Sequence, residues 1–113
     1  MISFEEFKRL ELKVARIIAA QRIPNSENLL KLQIDLGNEQ RQIVAGIAKF
    51  YSPESLVSKE IIVIANLESK TFTLRSDSGQ VDIESQGMLL AADRENPVLL
   101  VPDKEVTPGS PIS

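Results

Sequence analysis

Neither histidine nor cysteine occurs among the 113 residues of this chain. The most common general base, the most common metal ligand and the thiolate nucleophile are therefore all missing. A transition-metal site would have to be built from carboxylates alone, an unusual set for zinc or copper. Asp, Glu, Lys and Ser remain, but no close pair is arranged as nucleophile and base, and there is no glycine-rich phosphate loop. These residue types point to a binding protein with no cofactor, not an enzyme. The stretch best suited to binding is Glu84-Ser85-Gln86-Gly87-Met88-Leu89-Leu90-Ala91-Ala92. Gly87 stands at the mouth of an apolar strand and offers no side chain to pack. A bulge is expected there, or a point where another molecule approaches the backbone. Ser85 and Gln86 place a hydroxyl and an amide beside that gap, each able to donate and to accept. Met88 adds a flexible apolar contact.

The second set of candidates is cationic. Lys31, Arg41 and Lys49 face outward on the strand reading, and with Lys13, Arg16, Lys70 and Arg75 they could form the basic rim that an RNA backbone needs. The net charge of −3 and the pI of about 5.0 argue against a wholesale electrostatic grip on nucleic acid. A local basic face on an acidic protein is still allowed. Aromatic residues make up only 4% of the chain, a poor supply for stacking single-stranded bases. Shape recognition of folded RNA needs fewer of them. Phe50 and Tyr51 can both stack on a base; Phe50 is expected in the core, which leaves Tyr51, the only tyrosine, as the candidate.

These residues must be positioned by short elements. Ser3 and Glu6 form a capping box for a helix over residues 2–9, with Ile2 and Phe7 placed as its hydrophobic staple. Residues 11–20 read as a strand whose alternation breaks at Ile17-Ile18, as a bulge would require. Leu30, Leu32, Ile34 and Leu36 alternate with Lys31, Gln33 and Asp35, the clearest half-buried strand in the chain. Gly37-Asn38 turns it into a strand over 41–45. Ser52-Pro53-Glu54 starts a short helix. Residues 61–65 form a β-branched strand expected to be buried on both faces. Thr71–Leu74 and Gln80–Ile83 pair as a small hairpin about Ser78-Gly79, and strands follow over 88–92 and 98–101. The length suits one domain spanning 1–113. Five or six strands with a helix between the third and fourth predict an all-β protein, a five-stranded Greek-key OB-fold barrel with two short helices, ahead of an SH3-like barrel. No apolar run is long enough to span a membrane, and the acidic N-terminus is unlike a signal peptide, so a cytoplasmic location is expected.

Five segments in order then carry a resemblance. They are Leu12-Lys13-Val14-Ala15-Arg16-Ile17, Asn28-Leu29-Leu30-Lys31-Leu32, Arg41 through Tyr51, Ile64-Ala65-Asn66-Leu67 and Glu84 through Ala92. With them the chain resembles the tRNA-binding domain found at the C-terminus of many bacterial methionyl-tRNA synthetases and as a stand-alone small bacterial protein. It is similar also to the endothelial monocyte-activating polypeptide II module. The resemblance implies an OB-fold homodimer that binds the outer corner of tRNA by shape, either as a free factor or as an appendage of an aminoacyl-tRNA synthetase. It implies a site around Asn66, Ser85 and Met88, with Gln86 and Gly87 giving shape and backbone access. Both Asn66 and Ser85 flank strands, so replacing either by Ala is expected to leave stability nearly unchanged. The family's basic Lys-Pro loop after Asn66-Leu67 is replaced here by Glu68-Ser69 and a longer segment reaching Ile83. The alternative is a CsaA-like export chaperone of the same fold, binding extended polypeptide.

Overall fold

The structure, a computed structural model, describes residues 1–113. Ser3 caps a short helix α1 (Phe4–Lys8): its hydroxyl accepts from the Glu6 amide at 3.2 Å, and the Glu6 carboxylate accepts from the Ser3 amide at 3.1 Å. The capping box read from the sequence is thus complete. Then comes β1 (Leu12–Arg22), which runs on past the expected end at Ala20. At about 3.3 Å per residue it is long enough to serve two neighbours. Its first half pairs with β4 (Glu60–Ile64) and its second half with β2 (Leu30–Asp35), all antiparallel. The register shifts between Ile17 and Ala19, leaving Ile18 as the bulge residue, so the broken alternation marked a real bend.

A tight turn at Gly37 joins β2 to β3 (Gln40–Ala45). A second helix, α2 (Pro53–Leu56), follows and drops Leu56 fully into the core. Two longer strands, β5 (Lys70–Ser76) and β6 (Gly79–Ser85), pair only with each other. The strand expected over 88–92 is split. Met88–Leu89 (β7) pairs with β4, whereas Ala91–Ala92 (β8) pairs with Val98–Leu99 (β9). Leu90 lies between: its amide bonds Ile62 and its carbonyl accepts from Leu100. The chain changes partner there, which a run of apolar residues cannot reveal.

The main sheet has the order β3-β2-β1-β4-β7. It closes where Gln42 of β3 meets Gln86, the amide of Gln86 donating to the Gln42 carbonyl at 2.8 Å. A nearly closed five-stranded antiparallel barrel with a helix between its third and fourth strands is the expected all-β OB-type fold. Leu30, Leu32 and Ile34 point inward with Ile43, Ile61 and Val63. Burying each such side chain contributes roughly 1.5–3 kcal/mol. On β4, Ile61 and Val63 of this face are fully buried, whereas Ile62 and Ile64 on the other are half-covered, less than expected. The C-terminal segment takes the free edge of β1, through Val14 to Ser110 at 3.0 Å and Ile112 to Leu12 at 2.8 Å. Gly109, at φ +91°, lies so close to the Leu36 carbonyl that a Cβ would sit 2.1 Å from it. Arg16 also anchors this segment through Glu105 at 2.6 Å, with Glu60 at 3.6 Å. The Glu105 hydrogen bond, ahead of the charge of Glu60, raises the Arg16 guanidinium above its usual range.

Candidate nucleic-acid interface

The side chains of β1, β2 and β3 that point away from the core form the outer face of the sheet. Alternation on β2 puts Lys31 and Gln33 there, half-buried. Cross-strand register then sets Gln21 and Val44 beside Lys31, and Ala19 and Gln42 beside Gln33. Ala19, Ala20, Gln21, Lys31, Gln33 and Gln42 line a hollow of about 320 Å³. Two of these six are alanines. The other four carry three amides and one ammonium, and no carboxylate. Amides can donate and accept at once, so this lining suits phosphate oxygens, ribose hydroxyls and base edges without selecting one sequence. The loop 23–29 between β1 and β2 lies at one end of the face. The β5–β6 hairpin, which joins β4 to β7, starts at its side, where the Gln42 amide donates to the Glu84 carbonyl at 2.9 Å. OB-folds bind oligonucleotides on this strand surface between these two loops. Gln21, Gln33 and Gln42 were not singled out from the sequence. Only Gln33 carries a local signal, the polar half of the alternation on β2; Gln21 and Gln42 join it through the cross-strand register.

The motif residues occupy other places. Ser85 is 2% exposed. Its hydroxyl accepts from the Val44 amide at 2.9 Å and donates to the Gly87 carbonyl at 2.9 Å, so it is engaged at both ends inside the seam that closes the barrel. The expectation that its loss leaves stability unchanged is therefore corrected: two buried backbone groups depend on it. Gly87 does meet another backbone, and it is the chain's own. At φ +116°, a Cβ here would lie 2.8 Å from the Ile64 carbonyl of β4. Met88 is half-buried and pairs with Ile64. Gln86 is exposed; its side-chain oxygen accepts from the backbone N–H of Gln42 at 3.3 Å. Asn66 is exposed but bridges two segments, donating to the Arg9 carbonyl at 2.6 Å and accepting from the Glu11 amide at 2.9 Å. It ties the end of α1 to the barrel.

The cations are scattered as well. Arg41 does not face outward: it shares the inner register row with Ile34, and its guanidinium bonds the Ala65 carbonyl and pairs with Glu39. Lys49 is exposed on the turn after β3. Lys70 and Arg75 are exposed on the hairpin, with the Lys70 ammonium 4.7 Å above the Phe72 ring. Lys31 alone of the candidates lines the hollow. The aromatic assignments reverse. Phe50 is 46% exposed, whereas Tyr51 packs against the core and its hydroxyl donates to the Pro97 carbonyl at 3.0 Å and accepts from the Leu99 amide.

The chain has relatives both in sequence and in structure. Residues 12–111 match the model of the family described as "Putative tRNA binding domain". The chain is 49% identical over 112 residues to the methionine–tRNA ligase of Methanosphaerula palustris, covering 99% of this chain and 16% of that protein. It is 47% identical over 113 residues to that of Thermotoga maritima, covering 99% of this chain and 17% of the enzyme. The chain thus spans only about a sixth of the length of these relatives. Among solved structures, a methionyl-tRNA synthetase-related protein from Pyrococcus horikoshii superposes with a TM-score of 0.81 at 33% identity, covering 100% of this chain and 98% of that one. The chaperone CsaA from Bacillus anthracis superposes at 0.80 with 29% identity, covering 100% and 99%. On the strength of a family model that matches almost end to end and a barrel of the same architecture, this chain belongs to the tRNA-binding domain family.

Proposed function

We propose that the chain binds tRNA without catalysing a reaction, through the outer face of β1–β3. The observation that carries this reading is the family match over residues 12–111, joined to a hollow lined by amides and a lysine on the face that OB-folds use. Lys31 neutralises phosphate there, and the glutamines bond sugar and backbone oxygens, so folded RNA is held by shape. Lys49 extends the face at one end, and Lys70 and Arg75 carry positive charge out along the hairpin. Asn66, Ser85, Gly87 and Arg41 serve the site by holding the barrel and α1 in place, Met88 helps to seat β7 on β4, and Gln86 borders the face beside Gln42. No helix is long and apolar enough to cross a membrane; the proposed setting is the cytoplasm, where tRNA is found.

The protein acts as a homodimer, free or attached to a methionyl-tRNA synthetase. Support for the dimer comes from Phe4, 84% exposed on α1, and from a hollow of about 440 Å³ between α1 and the C-terminal segment, lined by Phe4, Phe7, Leu10, Leu12 and Ile112 among others. Surplus apolar surface of this kind marks a contact site. The likeness to CsaA supports a second reading, binding of unfolded polypeptide. One salt titration separates the two. Total tRNA should bind more tightly than single-stranded RNA of equal length, and the affinity should fall steeply with salt as counterions are released. Equal affinity for both RNAs, or tighter binding of an unfolded polypeptide that salt leaves unaltered, defeats the tRNA reading.

A further inference from the structure

The turn that follows β3 buries its apolar residues, with one exception. Ile47 and Ala48 are buried, Tyr51 packs on the core, and Phe50, between Ala48 and Tyr51, keeps nearly half of its surface exposed. The turn is held firmly. The Ala48 amide donates to the Asn28 carbonyl at 2.9 Å, and the Phe50 and Tyr51 amides both reach the Ile47 carbonyl at 3.0 Å. Arg22 donates to the Ala48 carbonyl at 3.2 Å, which brings a second cation to the turn beside Lys49. Both side chains are exposed, and neither belongs to an ion pair.

The turn also lies in the right place. Arg22 ends β1 and pairs with Leu30, which pairs with Ala45, the last residue of β3. The next row of the sheet carries Gln21 and Lys31 of the hollow. The turn therefore follows directly on a row that adjoins the hollow. On the hairpin, Phe72 already has the Lys70 ammonium over its ring.

We propose that Phe50 is a stacking platform for one unpaired nucleobase of the bound RNA, with Lys49 and Arg22 taking the phosphates on either side of it. This rests on the tRNA-binding reading and adds to it a contact that shape recognition alone does not need. An aromatic face flanked by two cations matches a base with its two phosphates; an apolar peptide side chain would leave both cations without an opposite charge. Because the backbone of the turn is already fixed by its hydrogen bonds, stacking on the ring orders little that was free.

The test uses the full chain and four variants, Phe50→Ala, Phe50→Leu, Phe50→Trp and Lys49→Ala, with total tRNA and a blunt RNA duplex lacking unpaired bases as probes. Phe50→Ala and Phe50→Leu should each weaken tRNA binding roughly tenfold or more, the range of a lost base–aromatic stack. Their salt slope should equal that of the parent, and duplex binding should not change. Lys49→Ala should instead lower the slope by about one ion. Phe50→Trp should keep tRNA affinity, and because the chain has no other tryptophan, its emission should change as tRNA saturates it. The proposal fails if Phe50→Leu matches the parent, if duplex binding drops equally, or if the indole emission of the Phe50→Trp variant stays flat at saturation. Should the parent itself bind no tRNA, the underlying reading falls first, and this inference with it.

Discussion

The seam that closes the barrel and the outer face of the sheet adjoin one another and share Gln42, yet their polar groups have opposite fates. At the seam, the Ser85 hydroxyl, the Gln86 amide and the Gly87 carbonyl are all bonded within the chain. On the face, the side chains of Lys31 and Gln21 make no hydrogen bond or ion pair within the protein, and that of Gln33 makes only a 3.3 Å contact to Gln40. The seam carries the segment most recognisable in the sequence; the face carries groups free to bind something else. A recognisable motif marks what the fold needs as readily as what a ligand touches. In this chain its core, Ser85 and Gly87, is used to hold β3, β4 and β7 together.

Substitutions can break this contrast or sharpen it. Gly87→Ala should have the largest effect. It forces an L residue into φ +116° and a Cβ to 2.8 Å from the Ile64 carbonyl, a combined cost of about 3 kcal/mol in urea denaturation. Ser85→Ala comes next. It leaves the Val44 amide and the Gly87 carbonyl without their partner, and should cost about 2 kcal/mol. In both variants the tRNA affinity of the folded molecules should stay near that of the parent. A large loss of affinity at unchanged stability would move Ser85 back to the ligand. Lys31→Ala should show the reverse. Stability should stay within about 0.5 kcal/mol, while tRNA affinity falls several-fold and the salt slope drops by about one ion. If Lys31→Ala leaves tRNA binding untouched, the outer face is not the interface.

Local chemistry was legible wherever it acts over a few residues. The Ser3–Glu6 box, the Pro53 helix start, the alternation of β2 and the bulge near Ile18 are all settled by neighbours in sequence, and each appears as read. The hairpin also appeared, longer than expected: its pairing runs from Lys70 opposite Ser85 to Ser76 opposite Gly79. What misled was any residue whose role depends on a distant partner. Asn66 looked like a strand terminator or a ligand contact, and is a clamp on residues 55 and 57 positions away. Arg41 looked like a surface cation and turns inward to the Ala65 carbonyl.

Phe50 and Tyr51 show where the boundary falls. The sequence by itself determined that an aromatic pair would follow β3, that the strands would alternate, and that no histidine or cysteine chemistry was available. Those are consequences of residue type and period, which need no tertiary partner. Which of the two rings would be covered depended on where β9 arrived: the Leu99 amide and the Pro97 carbonyl reach the Tyr51 hydroxyl and leave Phe50 outside. The same holds for the glutamines. Gln21, Gln33 and Gln42 stand 9 to 21 positions apart in the chain, and only the pairing of β1 with β2 and β2 with β3 makes them one surface. Burial and hydrogen bonding are properties of assembled strands, so the tertiary structure alone decided which polar groups the fold uses and which it leaves free.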